Sequence, residues 1–212
     1  MKSIITSILL SLSILFSAQA QKDPAARKVL DAMSAKYQKI PSFVADFSYT
    51  MQNDDEDIDE GFEGNILVKK DKYQLKMEGQ EITFDGTDIY TYLADDEEIT
   101  ISAYDPEGED ISISNIFDIY KEGFKYVYSE STANGTIDVV DLVPEDREKD
   151  YFKIRMNITA SGRDLKSFMV FDKSGSRYLY TIKSFKEDAS ITDDTFKFDA
   201  AKYPGVEVVD FR

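Results

Sequence analysis

The chain of 212 residues carries 41 acidic and 25 basic side chains, a formal net charge of −16 that argues against nucleic acid and anionic membrane surfaces as partners. Cys, His and Trp are absent, which excludes disulfides, a lipidated cysteine, Ser-His-Asp and Cys-His nucleophile systems and the usual zinc ligand sets. With 42% hydrophobic residues, 13 Tyr and 14 Phe, the chain can still bury a substantial core, held by burial and hydrogen bonds alone.

The chain opens MKSIITSILLSLSILFSAQA: Lys2, an apolar run from Ile4 to Phe16, then Ala18-Gln19-Ala20. A short basic start, a brief apolar stretch and an A-x-A end read as a secretory signal peptide with cleavage expected after Ala20. The apolar run is too short to span a bilayer. The expected product is a soluble periplasmic protein, residues 21–212, forming one domain and acting as a monomer.

Asp23-Pro24 starts a helix, with Asp23 as N-cap and Pro24 at the first helical position. Ala26, Val29, Leu30, Met33 and Tyr37 recur at helical spacing, and the helix should end before Pro41. Period-two strands follow at 43–52, 61–69, 71–78, 80–85, 88–94 and 97–103, with turns at Lys70-Asp71, Glu78-Gly79 and Asp85-Gly86-Thr87. Pro106 and Gly108 then break the sheet. Ser112 or Ser114 can cap a short helix through Ile116, Phe117, Ile119 and Tyr120, with Gly123 as its stop. Strands resume at 124–130, 136–143, 150–160, 164–171, 177–186, 195–198 and 206–210, and Asp172-Lys173-Ser174-Gly175 reads as a hairpin turn closed by a left-handed glycine.

So many strands with so little helix give a large antiparallel sheet, which must curl or split into two. A sandwich fills its apolar face with side chains from both sheets. A half-open barrel leaves a lipid-sized cavity under a helical cover. Composition does not choose between them. The residues expected to face inward are Phe47, Tyr49, Ile66, Val68, Tyr73, Leu75, Met77, Ile82, Phe84, Tyr90 and Tyr92. Met adapts its shape to variable contents, and Tyr offers a hydroxyl near a head group.

Two acidic motifs carry no chemistry. With Asp55, Asp57 and Asp59 at the first, third and fifth positions of a calcium loop, the required glycine is Glu60 and the closing Glu is Ile66, so 53–61 reads as a solvated hairpin loop. Asp95/Asp96 and Glu97/Glu98 are adjacent on strands and point to opposite faces, so neither forms an acid/base pair. No catalytic residue, metal or cofactor is expected.

The order of the motifs resembles the LolA family, periplasmic carriers of outer-membrane lipoproteins. An amphipathic helix is followed by Ser42-Phe43-x-Ala45-x-Phe47, then Glu60-Gly61, Gly64 and Val68-Lys69-Lys70. Asp85-Gly86 and Ile89-Tyr90-Thr91-Tyr92 come next, and the end reads Ile191-Thr192-Asp193-Asp194-Thr195-Phe196-Lys197-Phe198, then Pro204-Gly205-Val206-Glu207-Val208. The resemblance implies an incomplete, strongly curved antiparallel barrel with helices as a lid over an apolar cavity. It also implies acylated lipoproteins or lipids as cargo, loading by an inner-membrane ABC-type lipoprotein transporter, and delivery to an outer-membrane acceptor. On that reading Ile116 and Phe117 join the inward set as cavity-lining residues. Lys70-Asp71 stands where the family commonly has Arg-Pro, tied there to lid closure and release; Lys70 keeps the charge but not the planar fork. The family's cavity Trp residues are absent and 105–165 departs from its pattern, which fits a divergent paralogue with a different lipid cargo. A lipid-sensing periplasmic regulator on the same scaffold, as related folds serve in envelope-stress signalling, is the alternative function.

Overall fold

The computed structural model describes residues 22–105, 111 and 113–212. The signal segment, Pro106, Gly108 and Ser112 lie outside the described residues. Helix α1 (Pro24–Tyr37) starts as its sequence dictates: the Asp23 carboxylate accepts from the Ala25 N–H at 2.8 Å, and Pro24 occupies the first turn. Ala26, Val29, Leu30, Met33 and Tyr37 are all buried, so the apolar stripe faces the sheet. Each such side chain contributes about 1.5–3 kcal/mol gross where it is large.

Twelve strands form one sheet: β1 (Ser42–Asn53), β2 (Ile58–Lys69), β3 (Lys72–Met77), β4 (Gln80–Phe84), β5 (Asp88–Leu93), β6 (Glu98–Ala103), β7 (Phe124–Thr132), β8 (Ile137–Pro144), β9 (Tyr151–Thr159), β10 (Leu165–Asp172), β11 (Arg177–Glu187) and β12 (Glu207–Asp210). Their order is β12-β6-β5-β4-β3-β2-β1-β11-β10-β9-β8-β7, so the sheet does not close. The sandwich alternative therefore does not apply. Residues from β2 at one side to β7 at the other share a single buried cluster with α1, which requires the sheet to curl around it. Left-handed glycines stand in three of the expected turns: Gly79 (φ 73°), Gly86 (φ 99°) and Gly175 (φ 96°).

Three expectations are corrected. The sheet is not wholly antiparallel, because β12 pairs parallel with β6; the chain first crosses the sheet's outer face and returns in the same direction as β6. Residues 195–198 are not a strand. A 3-10 turn (Asp193–Phe196) stands there, with Asp193 held by Lys69 and Lys72 of the β2–β3 hairpin. The cover segment, residues 113–121, forms turns and a 3-10 helix (Ile119–Lys121) rather than a regular helix. Its β-branched Ile113, Ile116 and Ile119, interleaved with Ser114, Asn115 and Asp118, favour local turns over continuous helix. Gly123, at φ 72°, stops it as the sequence indicates.

Candidate ligand-binding site

The inner face of β1–β5 and the cover segment enclose a cavity of about 560 Å³, within the roughly 300–1,000 Å³ range of small-molecule sites. Its walls follow from strand register. Ile66 sits opposite Leu75, Leu75 opposite Ile82, and Ile82 opposite Thr91, so these side chains share one face. Phe47, Tyr49, Ile66, Tyr73, Leu75, Met77 and Ile82 line the cavity, as does Ile113 from the cover. Gly64, opposite Phe47, leaves room for that ring to lie across the strand. Burial, reinforced by Tyr178, pushes the Tyr49 hydroxyl above its ordinary pKa, so it stays a neutral donor at the wall.

A second, more open cavity of about 990 Å³ lies on the other side of the cover segment, and Ser114 lines both. Val68, Lys70 and Phe117 belong to this one, with Tyr37 and Phe43. Lys70 occupies the β2–β3 turn at φ 57°, its N–H donating to the Pro41 carbonyl at 3.3 Å. Ile116 lines neither cavity; it is fully buried in the core beneath the cover. Phe84 shares the inner face but is packed between Tyr73 and Tyr104, at centroid distances of 5.7 and 4.6 Å.

The expected inward orientation of Tyr90 and Tyr92 is corrected. Phe84 pairs with Ile89 across the β4–β5 turn, which turns Ile89 and Thr91 into the cavity and Tyr90 and Tyr92 onto the outer face. There Tyr90 stacks on Phe198 and Tyr92 packs on Tyr203, each at 4.8 Å. The outer face has its own small core, with Ile99, Ile101 and Phe196 buried under the crossing segment. Burial, with Glu81 adding to it, pushes the Tyr203 hydroxyl up to about 12. Asp193 fastens that segment to the β2–β3 hairpin through Lys69 at 2.8 Å and Lys72 at 3.8 Å.

The sequence reading also missed wall residues. Tyr180 faces Tyr49 across the β1–β11 register, a long-range pairing that local periodicity does not reveal. Ile89 and Tyr104 complete the far wall.

Polar latches hold the cover. The Asp118 carboxylate accepts from Ser34, from Gln38 and, at 2.6 Å, from Lys121; the Tyr120 hydroxyl donates to Asp31 at 2.7 Å. Helix α1 is fixed in turn: the Leu165 N–H donates to the Tyr37 hydroxyl at 3.2 Å, and Lys36 pairs with Asp164. Burial pushes the Tyr37 hydroxyl up to about 12, with Asp164 adding to the rise. Among the described residues no cluster of acidic side chains could hold a metal ion, and no helix is long and apolar enough to cross a membrane.

Among solved structures, an uncharacterized conserved protein from Thermus thermophilus superposes with a TM-score of 0.55 at 12% identity, over 88% of this chain and 99% of that one. A DUF1329 family protein from Desulfovibrio piger gives 0.53 at 11% identity, over 85% and 99%. A LolA superfamily protein from Nitrosomonas europaea gives 0.46 at 13% identity, over 82% and 98%. At these identities the likeness concerns the fold alone. No curated protein matches this chain. A sequence model of the family described as outer membrane lipoprotein carrier protein LolA matches residues 38–199, a family whose scaffold binds lipids or lipoproteins in the periplasm or outside the cell. An open, curled sheet with a covered apolar cavity, matched to that family over most of its length, makes this chain a member of the LolA family.

Proposed function

We propose that this protein is a periplasmic carrier that takes up the acyl chains of lipoproteins and shuttles them from the inner to the outer membrane. The observation that carries the reading is the covered apolar cavity of about 560 Å³ between β1–β5 and the cover segment. Phe47, Tyr49, Ile66, Tyr73, Leu75 and Met77 would contact the chain, with Val68 and Phe117 at the larger opening and Lys70 at the turn where cover and sheet part. The first twenty residues act as the signal peptide, and the rest as one carrier domain. An inner-membrane ABC-type transporter loads it, and an outer-membrane acceptor relieves it.

Magnitudes fit a shuttle. Burying a methylene is worth about 0.8 kcal/mol, so a sixteen-carbon chain gains roughly 12 kcal/mol over water, about what a bilayer offers. A carrier has only to approach that value and fall short of its acceptor. A cover that closes well when empty does this, because opening it costs apolar contact between cover and sheet. Native mass spectrometry of protein from the periplasm should find bound lipid, and an acylated peptide should bind the emptied protein. Loss of that binding in Leu75→Glu is the expected result. Absence of lipid in both measurements, with no effect of Leu75→Glu, would overturn the proposal.

A further inference from the structure

The larger cavity differs from the smaller one in its charge. Its floor is apolar, with Tyr37, Phe43, Val68 and Phe117, but four lysines line its rim: Lys39, Lys70, Lys121 and Lys149. Three acids also line it: Asp118, Glu122 and Asp146. Lys121 is spent on Asp118 at 2.6 Å, and Asp118 is further occupied by Ser34 and Gln38. Lys39, Lys70 and Lys149 form no ion pair among the described residues, although the chain holds 41 acidic side chains against 25 basic ones. Lys69 and Lys72, flanking Lys70 on the same hairpin, reach Asp193 at 2.8 and 3.8 Å, and Lys70 acts on that carboxylate from farther off. Cations therefore outnumber anions at this opening, against the balance of the whole chain. Lys70 also holds its position at φ 57°, a left-handed conformation that Gly or Asn adopts at less cost. Ser114 lines both cavities, so the two lie next to each other along the cover segment.

We infer that the larger cavity is an anion subsite, which takes the acidic head group of an amphiphile whose acyl chain lies in the smaller cavity. This rests on the carrier reading for the chain and adds the class of cargo: a single molecule with an apolar tail and a phosphate- or carboxylate-bearing head. Lys39, Lys70 and Lys149 supply point charges that suit a mobile anionic head without fixing its geometry. The apolar floor accepts the glycerol or first methylenes next to the head.

The test compares two ligands of equal chain on the emptied full-length mature protein, both below their micellar concentrations. One is 1-palmitoyl lysophosphatidylglycerol and the other is neutral monopalmitoylglycerol, each displacing an uncharged apolar dye. The expected result is a preference of about tenfold for the anionic ligand at low salt, the sum of three modest exposed charge interactions. The ratio should fall toward one in about 1 M sodium chloride, where the screening length is about 3 Å. It should also fall toward one in the triple variant K39Q/K70Q/K149Q. If the variant does not fold, the salt series on the unaltered protein decides the same question. Equal displacement by both ligands at low salt would overturn the anion subsite while leaving the carrier reading standing. Failure of both ligands to displace the dye would overturn the carrier reading and this inference with it. Sodium phosphate alone binding as tightly as the lysolipid would overturn the assignment to an amphiphile.

Discussion

The Tyr37 ring, at the last turn of α1, stacks on Phe117 of the cover segment with centroids 3.7 Å apart and planes at 21°. Phe117 also meets Phe43 of β1 edge-on at 6.1 Å, so one ring joins helix, cover and sheet. Phe117→Ala should cost about 3 kcal/mol, the low end for removal of a buried Phe, since the larger cavity already lies alongside it. Urea unfolding should show a lower midpoint at unchanged slope. Dye entry into the smaller cavity should also become faster; unchanged entry would mean that the cover does not limit access.

The Asp118 latch should make the cover sensitive to acid. Burial, the largest influence, pushes the Asp118 pKa up. The bonds from Lys121, Ser34 and Gln38 outweigh it and hold the carboxyl below its ordinary value. A carboxyl with its folded pKa below the unfolded value of about 3.9 stabilises the fold above that value, and the contribution disappears as pH falls through the folded pKa. Protection of the amides at 113–121, corrected for intrinsic exchange, should therefore hold steady from neutral pH down to about 5 and drop below about 4. In Asp118→Asn the protection should be lower throughout and should lack that step.

The helix, nearly every strand and the glycine turns were legible because each rests on local period and local backbone freedom. The face of β5 was not. In an antiparallel pair directly opposite residues share a face, so the pairing of Phe84 with Ile89 decides the side on which Tyr90 falls. A reading that sends the aromatic alternate inward chooses Tyr90 and Tyr92 over Ile89 and Leu93. It fails because β5 is covered on both sides: the cavity lies on one and the segment ending in Tyr203 on the other. Tyr180 and the β12–β6 pairing were hidden for a related reason, being contacts between segments far apart in sequence.

That assignment of faces gives a contrasting pair of variants. Tyr90→Ala removes the stack on Phe198 and should lower stability by about 1–3 kcal/mol while leaving amphiphile binding intact. Ile89→Glu, one residue earlier, places a carboxylate in the cavity wall and should abolish binding of a neutral acyl ligand. Dye displacement and urea unfolding on both variants check the assignment. Loss of binding in Tyr90→Ala at full folding would reverse the faces.

Gly64 tests how tightly the cavity wall is built. It lies opposite Phe47, and a Cβ added at Gly64 would clash with Phe47 Cζ, far inside contact distance. Phe47 is 1% exposed and cannot yield toward solvent. Its open direction is the cavity it lines. Gly64→Ala should therefore cost about 1–3 kcal/mol by overpacking and should weaken acyl binding by driving the ring into the ligand's space. Phe47→Leu alone should destabilise as well, by removing ring atoms from the wall. Combined, the two should offset each other, because the smaller side chain admits the new methyl group. A double-mutant cycle in urea should then return a favourable coupling of at least about 1 kcal/mol. Strict additivity would mean that the strand backbone, rather than the Phe47 ring, absorbs the clash.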